Sequence, residues 1–167
     1  MKRLFTDIGL IAGKDLKIES RSRVLTNQVA PFALMILVLF GIALDADQQS
    51  LRNFASGLFW ISVLLCSLMA ISRSMTIERD DDALAGLSLS GVDPIAIFLG
   101  KTCAIAIQLL VLEIFLGLGI VLLYRSEIED LWLLVSTGLF ACIAISALGT
   151  IFGFLASGLG VRETLLP

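Results

Sequence analysis

LWLLVSTGLFACIAISALGTIFGFLASGLGV, residues 131–161, carries no charged side chain from end to end. A helix rises about 1.5 Å per residue, and ~20 apolar residues cross a hydrocarbon layer ~30 Å thick. This run is longer than that. Val24–Leu44 and Asn53–Ser72 are likewise uncharged, and Thr102–Tyr124 is interrupted only by Glu113. Inside lipid a chain must satisfy its own backbone hydrogen bonds, which an α-helix does within one segment. The fold class is therefore all-α: a polytopic helical membrane protein with about four transmembrane helices, at about 24–44, 54–74, 94–123 and 131–156.

Composition points the same way. With 57% hydrophobic and 16% charged residues and a mean hydropathy of +0.97, the chain lies outside the range of soluble domains. No internal repeat, low-complexity tract or linker breaks it, so residues 1–167 read as a single membrane domain. The partner these runs imply is the lipid bilayer, and no nucleic acid is expected. The net charge of -3 matters less than its distribution. Lys2, Arg3, Lys14, Lys17, Arg21 and Arg23 precede the first span, Arg73, Arg79 and Lys101 lie between the second and third, and Arg162 follows the fourth. The two other short loops contribute only Arg52 and Arg125. The bias of cations toward the inner side predicts a cytoplasmic N-terminus, a cytoplasmic loop at 73–93, and outward-facing loops at 45–53 and 125–130. The first span starts after more than twenty residues and lacks a small-x-small cleavage site, so it is expected to be retained rather than cleaved as a signal.

Residues 1–22 have Leu4, Phe5, Ile8, Ile11 and Ala12 at helical spacing, with Lys2, Arg3, Asp7, Lys14 and Asp15 on other faces. That pattern predicts an amphipathic helix in the membrane interface. Pro31 is expected to kink the first span or end its first turn. Asp93-Pro94 reads as N-cap and first position of the third span. Tyr124 and Trp132 flank the acidic outer loop and read as interface anchors. Gly149, Gly153, Gly158 and Gly160 suggest close packing of the fourth helix or a break near its cytoplasmic end. Cys66, Cys103 and Cys142 all fall inside spans and read as buried free thiols.

The loop between the second and third spans carries the strongest functional signal. A charged turn, Glu78-Arg79-Asp80-Asp81-Asp82, precedes a short apolar patch, Ala83–Leu89, and Gly91 offers a stop. Carboxylates suit the first turn of a helix, and a helix this short needs a surface to dock on. Two readings stay open: a cytoplasmic coupling helix seated in a nucleotide-binding subunit through Glu78, Asp82, Leu84 and Leu87, or a solvated acidic turn. Consecutive aspartates point in different directions, which disfavours a metal site there. Glu113 is the one ionisable group in mid-span, either pore-lining or hydrogen-bonded to a neighbouring helix. The chain has no histidine, hence no imidazole ligand and no Ser-His pair. It has no Walker A sequence, so any ATP hydrolysis belongs to a partner. No catalytic, cofactor-binding or metal-binding residue is assigned, and the chain is not read as an enzyme.

Ala55-Ser56-Gly57-Leu58-Phe59-Trp60, Ser67-Leu68-Met69-Ala70, Glu78 to Asp82, Leu84, Leu87 and Leu89, Leu99-Gly100-Lys101, Leu148-Gly149-Thr150 and Arg162-Glu163-Thr164-Leu165-Leu166-Pro167 together resemble the heme exporter protein B (CcmB) family. The resemblance covers nearly the whole chain. It implies a membrane permease subunit of an ATP-driven complex for haem export in c-type cytochrome biogenesis. The implied partners are a CcmA-like ATPase, which binds the ATP, and CcmC- and CcmD-like membrane subunits, with a homodimer left open. Haem would be cargo rather than a bound cofactor. Two alternatives remain: a permease subunit for another substrate, and a non-transporting scaffold of the maturation complex. Family members continue for roughly two more membrane helices, so the resemblance implies a C-terminally truncated or divergent member.

Overall fold

The computed structural model describes residues 2–23, 25–44, 48–80, 93–125 and 130–163. Every element among them is helical: α1 (Lys2–Ser22), a π-helical turn (Leu25–Val29), α2 (Ala30–Ala43), α3 (Gln48–Asp80), α4 (Pro94–Tyr124) and α5 (Leu131–Glu163). The boundaries have local causes. Arg23 takes the left-handed conformation, φ 52°, and ends α1, while Arg125, φ 50°, does so for α4. At the start of α4 the Ile95 amide donates to Asp93 Oδ1 at 2.9 Å, and Pro94 needs no amide donor there, as the sequence predicts.

Asp130 performs the same service for α5. It accepts from the amides of Trp132 at 3.0 Å and Leu133 at 3.2 Å. In the sequence it reads only as an outer-loop acid.

The first predicted span is divided. Pro31 lies in the first turn of α2, where it has no amide for the carbonyl a turn earlier. The chain before it winds as a wider π turn, so the α-helix starts at Ala30 and not at 24. Among the described residues, three helices are long and apolar enough to cross a membrane: α3 over Gln49–Met75, α4 over Pro94–Tyr124 and α5 over Leu131–Leu155. A fourth crossing is present if Leu4–Ser22 and Asn27–Ala43, bent by 52° at the break between them, count as one. The second span, Gln49–Met75, starts earlier than predicted, and α3 continues beyond it through Glu78 to Asp80. The fourth helix shows no break at Gly158 or Gly160 and runs to Glu163. The short loop helix predicted after Asp80 lies outside the described residues.

α4 is the centre of the bundle, and each of the other four helices packs on it. Its buried positions include Ala104, Ile105, Leu109, Leu112, Leu116 and Ile120. All of these but Ala104 meet Val29, Ala33 and Leu37 near and on α2, and Ala55, Phe59, Val63 and Cys66 on α3, in one core. In lipid, helices gain little by hiding apolar surface from each other, so close approach of small residues carries the packing. α5 follows that rule. It turns Gly138, Cys142, Ser146 and Thr150 inward and leaves Trp132 85%, Phe140 73% and Phe152 66% exposed. An added Cβ at Gly149 would collide with Ile71 Cδ1 of α3, and one at Gly153 would lie 2.6 Å from Met75 Cε. Two buried hydroxyls bond within their own helices: Ser62 donates to Leu58 O at 2.7 Å and Thr150 to Ser146 O at 2.7 Å.

Trp132 is exposed, but Tyr124 is not. Tyr124 is 2% exposed, and its hydroxyl donates to the carbonyl of Leu37 at 2.7 Å. It fastens α2 to the end of α4. Cys66 and Cys142 are buried, whereas Cys103 faces out of the bundle.

Candidate functional site

Two charge-bearing groups interrupt the buried side of α4. The first is Glu113, at the middle of the otherwise uncharged run 102–124 and 8% exposed. Its carboxyl group points at α5, at a place where the partner helix has no side chain. A Cβ added to Gly138 would lie 2.6 Å from Glu113 Oε2. Cys142, one turn further along α5, offers its thiol to the same carboxyl. Oε1 has no hydrogen-bond partner. A carboxyl group at this depth is costly and needs donors. The bundle supplies one weak donor, a thiol, and a glycine-sized notch.

The second is Lys101. From sequence it counts among the loop cations; in the structure it sits on the second turn of α4 and is 2% exposed. Its Nζ lies 3.5 Å from Asp15 Oδ2 of α1, and Asp15 is itself 9% exposed. The other oxygen, Oδ1, lies 3.3 Å from Lys14 Nζ, whose side chain is 39% exposed. The helices come close enough for this because Gly100 has no side chain. A Cβ there would lie 2.8 Å from Ile11 Cβ and 3.1 Å from the Ile8 carbonyl oxygen. Thus α1 has the predicted amphipathic character, but its apolar face, with Ile11 and Ala12 buried, rests on α4. Phe5 and Leu10 remain exposed on its other side. Asp15, assigned to a polar face by its spacing, belongs to the buried one.

The predicted coupling residues fare differently. Glu78 lies on the last turn of α3, while Asp82, Leu84 and Leu87 lie outside the described residues. Glu113 is the predicted site residue that the structure places in full. No short motif marks Asp15 or Gly138. The available signals were a lysine inside a span and an aspartate one turn from Ile11, Ala12 and Ile18, each needing a partner in a medium poor in water.

Long apolar helices, small residues at their contacts and bulky apolar side chains outside define a multi-pass helical membrane protein. The sequence profile of the CcmB protein family matches residues 7–167, and the chain belongs to that family. It is 31% identical to Heme exporter protein B of Rhodobacter capsulatus over 137 residues, covering 81% of this chain and 62% of that protein. It is 32% identical to Heme exporter protein B of Escherichia coli K12 over 73 residues, 44% of this chain and 33% of the other. The chain thus spans less than two thirds of the length of the relatives it matches. No solved structure matches it.

Proposed function

We propose that this chain serves as a membrane subunit of an exporter that handles haem for the assembly of c-type cytochromes. The family match over residues 7–167, with relatives named for haem export, carries this reading. The bundle supports it by offering packed membrane-spanning helices and a buried carboxyl. On this reading the chain is a transport subunit, not a catalyst, and sits in an inner or plasma membrane with its N-terminus in the cytoplasm. ATP is hydrolysed by a CcmA-like partner, which grips Glu78, Asp82, Leu84 and Leu87, and CcmC- and CcmD-like subunits complete the complex. Glu113 lines the path or ties α4 to α5. With no histidine in the sequence, imidazole ligands for haem iron come from partner subunits, and haem is cargo. Deleting the gene should remove covalently attached haem from c-type cytochromes on haem-stained gels, and returning it should restore the bands. Unchanged staining in the deletion strain would show that another substrate, or none, is handled.

A further inference from the structure

Leu10, Lys14, Lys17 and Arg21 follow one another at steps of four, three and four residues, the spacing of one stripe along a helix. Ala12 and Asp15 lie on the opposite side of α1 and are buried, in the contact with α4. Ile11 and Ala12, which their spacing assigns to the lipid interface, are thus taken up by the bundle, and the basic stripe is the face that α1 keeps outside. Leu10 is 67% exposed, and Lys17 and Arg21 are exposed as well. Among the described residues neither of these two cations pairs with a carboxylate. Lys14, between them and Leu10, is partly covered through its contact with Asp15. Asp7 continues the line a turn before Leu10, and its single charge leaves the stripe basic.

The depth of α1 suits this face to a particular neighbour. α4 has 31 residues, about 46 Å of helix against ~30 Å of hydrocarbon. Centred on the bilayer, it extends about 8 Å beyond the hydrocarbon at either end. α1 meets it at Gly100, about 9 Å from the start of α4 at Pro94, which is the depth of the lipid headgroups. We propose that the stripe of Leu10, Lys14, Lys17 and Arg21 is a docking surface for the headgroups of anionic phospholipids. Lys17 and Arg21 meet the phosphates, and Leu10 reaches the adjoining acyl chains. Each cation near an anionic surface favours it by about fivefold, and long basic side chains reach it without moving the helix. The inference rests on the helical membrane fold and is independent of what the chain transports.

The test uses the full chain, with Cys66, Cys103 and Cys142 replaced by alanine, in nanodiscs of phosphatidylcholine mixed with phosphatidylglycerol. A fluorophore on Gly13→Cys, where an added Cβ meets nothing within 4 Å, reports the lipids beside the stripe. One on Ser136→Cys, exposed near the start of α5, serves as the reference. Chain-labelled nitroxide phosphatidylglycerol should quench the Gly13→Cys probe several-fold more than the matching phosphatidylcholine, and the two should quench alike at Ser136→Cys. Lys17→Gln/Arg21→Gln should bring the two lipids level at Gly13→Cys, and high salt should reduce the preference with the stripe intact. Equal quenching by both lipids beside the intact stripe would overturn the proposal and leave this face to an acidic protein partner. A preference that survives Lys17→Gln/Arg21→Gln, or that salt leaves unchanged, would overturn it too. Both leaflets of a nanodisc hold the same lipids, so the result does not depend on which end of the chain faces the cytoplasm. The cytochrome phenotype of a deletion strain bears on cargo alone.

Discussion

At the scale of single residues, the polar groups of the bundle are placed by what their neighbours lack. Glu113 fits because Gly138 leaves room for its carboxyl, and Lys101 fits because Gly100 lets Asp15 come near. This gives a direct test of the Glu113 notch. Gly138→Ala would put a methyl group 2.6 Å from Oε2, forcing the carboxyl to move, at an overpacking cost of about 1–3 kcal/mol. Adding Glu113→Ala should return most of that loss, since the colliding oxygen is gone. Thermal unfolding in detergent measures both steps. Equal melting of Gly138→Ala and the double variant would mean that the two side chains do not share this space. Glu113 stood out in the sequence as a mid-span acid. Its notch did not, because nothing near Gly138 in the chain distinguishes it from a helix-packing glycine elsewhere.

At the scale of elements, helix contacts depend on which residues face small ones. Gly149 and Gly153 both meet α3, but against different side chains. Ile71 is β-branched and stiff, and it approaches Gly149 with Cδ1, Cγ1 and Cγ2. Met75 is unbranched and can turn aside, although its Sδ lies 2.5 Å from where a Cβ at Gly153 would be. Gly149→Ala should therefore destabilise the α3–α5 pair by about 1–3 kcal/mol, and Gly153→Ala by under about 1.5 kcal/mol. A reversed order of melting temperatures would contradict this account of the contact. The sequence marks both glycines as packing positions and the helix start at Pro94 by Asp93, whereas the Asp130 cap of α5 shows only in the structure. The difference between Ile71 and Met75 as neighbours is not written in either helix alone.

At the scale of the whole molecule, we propose the orientation from charge, with the N-terminus on the cytoplasmic side. Cations crowd the segment before α2 and the stretch from Arg73 to Lys101, while the 45–53 and 125–130 loops hold only Arg52 and Arg125. Lys101 is paired inside the bundle, yet removing it from the tally leaves the imbalance intact. Single cysteines placed at Gln48 and Glu127 should react with an impermeant maleimide added outside intact cells. Reaction only after permeabilisation would invert the topology.

The sequence by itself determined the class of fold, the three long apolar helices, the start of α4 at its Asp93 cap and the presence of a lone acid in mid-span. Each of these rests on hydropathy or on residues within one turn of each other, so it adds up along the chain and is legible there. Tertiary structure alone decided that Tyr124 is a buried donor to Leu37 across 87 positions, that α1 rests on α4, and that Lys101 pairs with Asp15. Such pairings depend on which helix faces turn toward each other. Helix rotation is fixed by close packing around glycines, a three-dimensional fit that hydropathy, nearly uniform around these helices, does not encode.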